Sequence, residues 1–335
     1  MNEIFVRCSA LRRFDVLRRR VVRRLFTTGR VSRQGDDARM RDLGRRISDD
    51  FAALRDHYAT PKHPIVLAHG LLGFSELSLL PFMRPIQYWH GIKEALSSNG
   101  STVLTASVPP SSSIQDRAAK LASDIISGAH ANKATTINTA TTVNIIAHSM
   151  GGLDARYMIS RLRPRGVEVA SLVTVATPHR GSPLADYLIG GEGRGPVYLP
   201  RLYGAIERMG LGTQAFEQLT TRYMAEEFNP LVVDDASVRY FSYGAATNRP
   251  SLFDPFRLPY RIVEKADGMN DGLVSVESSR WGTYKGTLMD VSHLDLINWT
   301  NKIQWTVRGW MGIKRTFNAI AFYMGVADML AKEGL

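Results

Sequence analysis

Residues 143–152 read Val-Asn-Ile-Ile-Ala-His-Ser-Met-Gly-Gly, a β-rich apolar run that ends in a small-x-Ser-x-Gly corner. A stretch with helical periodicity follows over 152–162. A serine placed on so sharp a strand-to-helix turn leaves no room for side chains two positions either side of it. Ala147 and Gly151 occupy those positions, with alanine meeting the steric requirement more often met by glycine. This corner constrains the fold more than any other feature. The strand must feed straight into a helix, and Ser149 must sit on the tight turn between them.

The rest of the chain repeats the same rhythm. Strand-like apolar runs occur at 65–68, 101–107, 143–147, 170–176 and 238–243, with a further short run at 273–276. Helical spacing appears over 114–126 (Ile114, Ala118, Leu121, Ile125), 152–162 and 303–332. Residues 128–142 are small and polar, as in a surface loop. Strands that alternate with helices predict an α/β protein whose sheet is mostly parallel and covered by helices on both faces. Residues 183–235 interrupt the alternation. They hold Gly190, Gly191, Gly193 and Gly195 and then helix-like segments at 202–209 and 215–228. Such an insertion reads as a helical cap or lid, or as an ordinary pair of packing helices.

The chain has 335 residues, 44% of them hydrophobic and 22% charged, enough for a full core. Its net charge is +11, but residues 1–34 alone hold ten arginines against Glu3 and Asp15. The body is therefore close to neutral, which argues against a nucleic-acid surface. Within the basic segment Leu11, Phe14, Leu17, Val21 and Leu25 form one helical stripe, with Arg12, Arg13, Arg19, Arg20, Arg23 and Arg24 largely off it. An amphipathic, Arg-rich, acid-poor leader has the composition of a mitochondrial transit peptide. The stretch around Phe26 resembles a matrix-processing site. The alternatives are a basic arm on anionic lipid, with a cytoplasmic, membrane-associated protein, or a nuclear or nucleic-acid arm. A secretory signal is excluded by the lack of an apolar core in the leader. Residues 35–60 read as a polar linker leading into a short helix, and the fold proper as 61–335. Cys8 is the single cysteine, so no intrachain disulfide can form. No apolar stretch reaches the roughly 18–20 residues of a membrane span.

A serine hydroxyl needs a base to take its proton. Where such a corner tops an α/β sheet, the acid and then the histidine follow the serine in the chain. Of the eight histidines only His179 and His293 lie beyond Ser149. His179 would need Asp154 or Glu168 as its acid, one on the helix after the corner and one just before a strand. His293 is therefore the base. Among the carboxylates between them Asp271 stands out, in the turn Asn-Asp-Gly before an apolar run, with Asp267 its nearest rival. A carboxylate there would accept the Nδ1 proton of the histidine and fix its tautomer. An oxyanion formed at Ser149 needs two backbone N–H groups. Met150 follows the serine, and Leu71 lies in His69-Gly70-Leu71-Leu72-Gly73, where glycines let the backbone approach closely. His69 and His148 read as hydrogen-bonding scaffolding for the two turns.

The stretches HGLLGF, AHSMGG, ATPHRGSPLAD, NDGLVSVESSRWG and SHLDLINW occur in this order. Together they resemble the triacylglycerol lipases of bacterial true-lipase type, and closely their fungal mitochondrial relatives, over residues 61–335. The resemblance implies the α/β-hydrolase fold, a triad on Ser149, Asp271 and His293, an oxyanion pair on Leu71 and Met150, and a helical lid. It also implies a structural calcium held by Asp254, in Phe-Asp-Pro, and by Asp295, in His-Leu-Asp; hard oxygen ligands of this kind suit that ion. The family's glutamine four residues after that aspartate is Trp299 here. Asp295 would otherwise cap a turn or pair with a base. The function expected from the resemblance is release of fatty acids from triacylglycerols, with contact to a membrane or lipid droplet. The same triad would serve a phospholipase or acyltransferase, and a non-catalytic lipid-binding module is a third reading. Trp299, Trp305, Trp310, Phe317, Phe322, Tyr323 and Met324 read as core rather than as a lipid-contacting surface.

Overall fold

The computed structural model describes residues 45–71, 88–110, 112–131, 141–189, 213–250, 256–299 and 316–335. All of them lie in the compact unit Asp42–Leu335. The Arg-rich leader, Asp254, the helix expected at 202–209, Trp305 and Trp310 lie outside the described residues.

Seven strands form one sheet: β1 Arg45–Ile47, β2 Ile65–Ala68, β3 Val103–Thr105, β4 Thr141–His148, β5 Val167–Val175, β6 Arg239–Ala246 and β7 Thr283–Met289. Their order is β1-β7-β6-β5-β4-β2-β3, and every neighbouring pair is parallel. The expectation of a parallel sheet therefore holds. Alternate residues of the central strands enter two separate cores. Ile65, Leu67, Ile146, Val173 and Val175 pack with Phe322, Tyr323 and Val326 of helix α4, Ala319–Lys332. Phe317, Phe322, Tyr323 and Met324 are thus core, as read. Val66, Ala68, Ile145, Ala147 and Leu172 pack on the other face with Ala118, Leu121 and Ile125 of helix α1, Ile114–Ala131. Burial on both faces explains why these strands read as continuous apolar runs.

Two readings need correction. Residues 273–276 are not a strand. Asp271 Oδ1 accepts the N–H groups of Leu273 and Val274, which closes a turn, and Ser275 then caps helix α3, Val276–Ser279. The last strand is instead β7, where Lys285 and Gly286 obscure the apolar pattern. Gly286 has φ 146, and a Cβ there would lie 2.7 Å from the Arg45 carbonyl oxygen of β1. The stretch read as linker also contains β1, whose one buried residue, Ile47, is too little to give a periodic signal.

After β2 the chain turns toward β3, and after β4 it turns the other way, toward β5. The connections leaving the carboxyl ends of the adjacent strands β2 and β4 thus run in opposite directions. In parallel α/β sheets this divergence opens the crevice that holds the ligand.

Candidate active site

Ser149 stands at that crevice with φ 56, a left-handed backbone that a non-glycine residue adopts only under constraint. Its N–H donates to the Val175 carbonyl at 2.9 Å, and its own carbonyl accepts from Thr177 Oγ1 at 2.7 Å. The helix that follows, α2 (Gly151–Tyr157), starts hard against the sheet. A Cβ at residue 151 would lie 2.7 Å from the Ala68 and His69 carbonyl oxygens, and one at residue 152 would lie 2.3 Å from Thr177 Oγ1. The paired glycines after the serine are therefore packing requirements of the corner.

Asp271 and His293, expected from the sequence as acid and base, arrive from the loops after β6 and β7. His293 Nδ1 lies 2.6 Å from Asp271 Oδ2, and the His293 N–H donates to the Asp271 carbonyl at 2.9 Å. Asp271 Oδ1 is held by Leu273 N–H at 3.0 Å and Val274 N–H at 2.8 Å. The carboxylate is thus aimed before it meets the imidazole. His293 lies beside the serine corner: its ring centroid is 4.5 Å from that of His148, the residue before Ser149. Ser149 Oγ and His293 are not hydrogen-bonded to each other in this arrangement. Such bonds are often loose in ligand-free hydrolases and tighten on the substrate.

The loop after β2 closes the site from the other side. A Cβ at Gly70 would lie 2.5 Å from Ser149 Cβ, so the loop presses directly on Ser149. Leu71 packs against the cluster that contains Met150 and Leu153. His69 scaffolds this turn, as read: Nδ1 donates to the Gly70 carbonyl at 3.0 Å, and Nε2 accepts from Val108 N–H at 3.1 Å. Burial drives its pKa down to about 4, so the ring is neutral.

Three contributors left no signal in the sequence. Arg117 on α1 is fully buried; its Nη2 donates to the His69 carbonyl at 3.0 Å and Nη1 to that of Pro109 at 2.8 Å. Its Nε and Nη2 also grip Asp154 on α2 at 2.7–3.1 Å. Burial pushes the Asp154 carboxyl up to about 6 against the pull of Arg117. Tyr88 is the third. Its hydroxyl accepts Gly70 N–H at 3.1 Å and lies 2.6 Å from His148 Nδ1.

The rejected residues lie elsewhere. His179 is buried, stacked on Trp281 and 3.0 Å from Thr174 Oγ1. Asp267 accepts from Ser275 Oγ at 2.8 Å, and Glu168 from Thr142 Oγ1 at 3.2 Å. Asp295, read as a calcium ligand or a turn cap, accepts through Oδ2 from the N–H and Oγ of Ser292, at 2.9 and 2.7 Å. Among the described residues no cluster of three His, Cys, Asp or Glu side chains could hold a metal.

A strained serine corner at the end of a central parallel strand, with a buried Asp–His pair beside it, defines an α/β-hydrolase. Solved structures agree on the fold. The lipase of Staphylococcus hyicus superposes with a TM-score of 0.58 at 18% identity, covering 84% of this chain and 98% of that one. A Bacillus licheniformis lipase does so with a TM-score of 0.55 at 19% identity, over 78% and 96%. The PGAP1-like alpha/beta domain model matches residues 111–189. Sequence relatives are nearer. Triacylglycerol lipase 2 of Saccharomyces cerevisiae is 36% identical, covering 85% of this chain and 96% of its own. A triacylglycerol lipase of Burkholderia plantarii is 35% identical, over 74% and 82%. The chain belongs to the triacylglycerol lipase family and is an ester hydrolase.

Proposed function

We propose that this protein hydrolyses acyl ester bonds of triacylglycerols through an acyl-enzyme on Ser149. The observation that carries the reading is the 2.6 Å Asp271–His293 pair beside a serine held at φ 56. With Nδ1–H donated to Asp271, the lone pair of His293 is on Nε2. That nitrogen takes the Ser149 proton as Oγ attacks the ester carbonyl. Leu71 N–H and Met150 N–H receive the oxyanion. Its collapse expels the glyceride alkoxide, which takes the proton back from His293. Water, deprotonated by the same nitrogen, then releases the fatty acid and frees Ser149.

The family membership supports a lipid ester as substrate. Ile189, Leu258 and Met269 are exposed apolar side chains on segments that follow the carboxyl ends of β5 and β6, the end of the sheet that holds the site. They support contact with a lipid surface. The Arg-rich leader supports mitochondrial import, which N-terminal sequencing of the native protein and its co-fractionation with mitochondria would test. A structural calcium on Asp254 and Asp295 belongs to the same reading, supported by the resemblance and by hard-oxygen chemistry. Chelation should then lower the melting temperature, and added calcium should restore it.

The decisive experiment is labelling by a fluorophosphonate probe together with fatty-acid release from emulsified triacylglycerol. Label on Ser149 and loss of both signals in Ser149→Ala are expected. Fatty-acid release at the wild-type rate by Ser149→Ala would overturn the reading. Mass spectrometry of products from mixed triacylglycerol and phospholipid decides which ester is preferred.

A further inference from the structure

Tyr88 lies outside every motif in the sequence, yet its hydroxyl sits between the two halves of the site. It is buried just before the helix Ile92–Ser98, with its ring edge-on to Trp89 at 5.2 Å and tilted against His69 at 5.4 Å. Gly70 N–H can only donate, so Tyr88 Oη accepts from it. The phenolic proton then has one acceptor among the described residues, His148 Nδ1 at 2.6 Å. With Nδ1 accepting, His148 carries its own proton on Nε2. That nitrogen is buried and has no hydrogen-bond partner among the described residues. Burial, and then the nearby His293, hold the His148 pKa well below the usual imidazole range.

We propose that Tyr88 is a positioning residue for catalysis, its hydroxyl fixing the Gly70–Leu71 backbone and holding His148 as the neutral Nε2–H tautomer beside His293. This rests on the triad and oxyanion hole proposed above. The direction Gly70 N–H to Tyr88 Oη–H to His148 Nδ1 gives the phenolic proton an acceptor, whereas Nδ1–H donating to Oη would leave the buried phenolic O–H unbonded. Its first consequence is a preset oxyanion loop, because the tied N–H is adjacent to Leu71 N–H. Its second is electrostatic. His293 becomes an imidazolium in the transition state, and a second cation with ring centroids 4.5 Å apart would oppose it. A tyrosine proton on Nδ1 leaves no site where His148 could take up that charge.

Tyr88→Phe removes the hydroxyl and keeps the ring packing. On a soluble p-nitrophenyl ester, kcat should fall roughly 10- to 100-fold with KM within about twofold, less than the ~10²–10³-fold of deleting an oxyanion donor. Affinity for a trifluoromethyl ketone, whose adduct fills the oxyanion hole, should fall in parallel with kcat. Tyr323→Phe, which deletes another buried hydroxyl nearby, should leave both unchanged. The double variant Tyr88→Phe/His148→Phe should lose little more than the worse single, as expected for groups acting as one unit. An unchanged kcat, a rise in KM alone, or additive losses would overturn the proposal. If Tyr88→Phe does not fold, ¹⁵N chemical shifts of His148 in the intact protein decide. Protonated Nε2 with bare Nδ1 is expected, and the opposite tautomer overturns it. Fluorophosphonate labelling of Ser149 in the wild type is read separately. A failed Tyr88 proposal with intact labelling leaves the triad reading standing.

Discussion

Gly70 approaches Ser149 so closely that any β-carbon at residue 70 would sit 2.5 Å from Ser149 Cβ and 3.0 Å from its Oγ. The loop after β2 and the corner after β4 are thus one packed unit, and their separation sets where an oxyanion can lie. Gly70→Ala should move the loop, with Leu71 N–H, away from the nucleophile. We expect kcat/KM to drop by at least ~10²-fold, comparable with loss of an oxyanion donor, and stability to fall by about 1–3 kcal/mol from overpacking. Ester hydrolysis and thermal melts of the purified variant check both. Near-wild-type kcat/KM would mean that the loop does not contribute to the chemistry.

Asp271 and Asp267 are four residues apart, but only Asp271 reaches His293. Asp271→Asn keeps the shape and the turn, yet an amide nitrogen facing Nδ1 would favour the wrong tautomer. A fall in kcat of about 10³–10⁴-fold is expected. Asp267→Asn should keep full activity and lose at most about 1 kcal/mol with its Ser275 hydrogen bond. Measuring both variants on one ester separates the acid from its rival, and equal losses would reject the assignment.

These two sites show which parts of the fold and site the sequence exposes. Ser149 was legible because a strained corner demands small neighbours at fixed offsets. His293 was legible because so few histidines follow the serine, and Asp271 because a turn carboxylate has a local signature. The central strands were legible because burial on both faces makes them continuously apolar. Signals failed where the determinant was tertiary. Ile47 is the one buried residue of a three-residue edge strand. Lys285 and Gly286 belong to a strand because β1 and the core lie against it, which no local pattern reports. Residues 273–276 looked like a strand, but the Asp271 carboxylate had already claimed two of their N–H groups. Arg117, Asp154 and Tyr88 act across long sequence separations and carry no motif.

Asp328 ties the last helix to the segment before β2, accepting from Arg55, Lys332 and Ala59 N–H at 2.8–2.9 Å. Burial pushes its pKa up, but the bonds to Lys332, Ala59 and Arg55 outweigh burial and bring it down to about 2. A carboxylate depressed from 3.8 in the folded state adds stability that is fully present above the unfolded value. That stability fades as pH falls from about 4 toward 2. Asp328→Asn should therefore melt below the wild type at pH 7, with the gap narrowing across this interval. A gap that stays constant down to pH 2 would show that the ion pairs are not its source.

Arg117 and Asp154 combine a stability role with a positional one, and substitution can separate the two. Both side chains are buried, so removing one partner strands the other. Arg117→Met alone should cost about 3–5 kcal/mol. In Arg117→Met/Asp154→Leu neither charge of the pair remains, and most of that loss should be recovered, since replacing a buried pair by apolar groups is often near neutral. Activity should not recover with it. The His69 and Pro109 carbonyls lose their donor in both variants, and the loop that carries Leu71 loses its brace from α1. Melting temperature and kcat, measured side by side, should thus part company in the double variant. If the two return together, Arg117 contributes only to folding. If neither returns, the pair is replaced by a cavity rather than by packing.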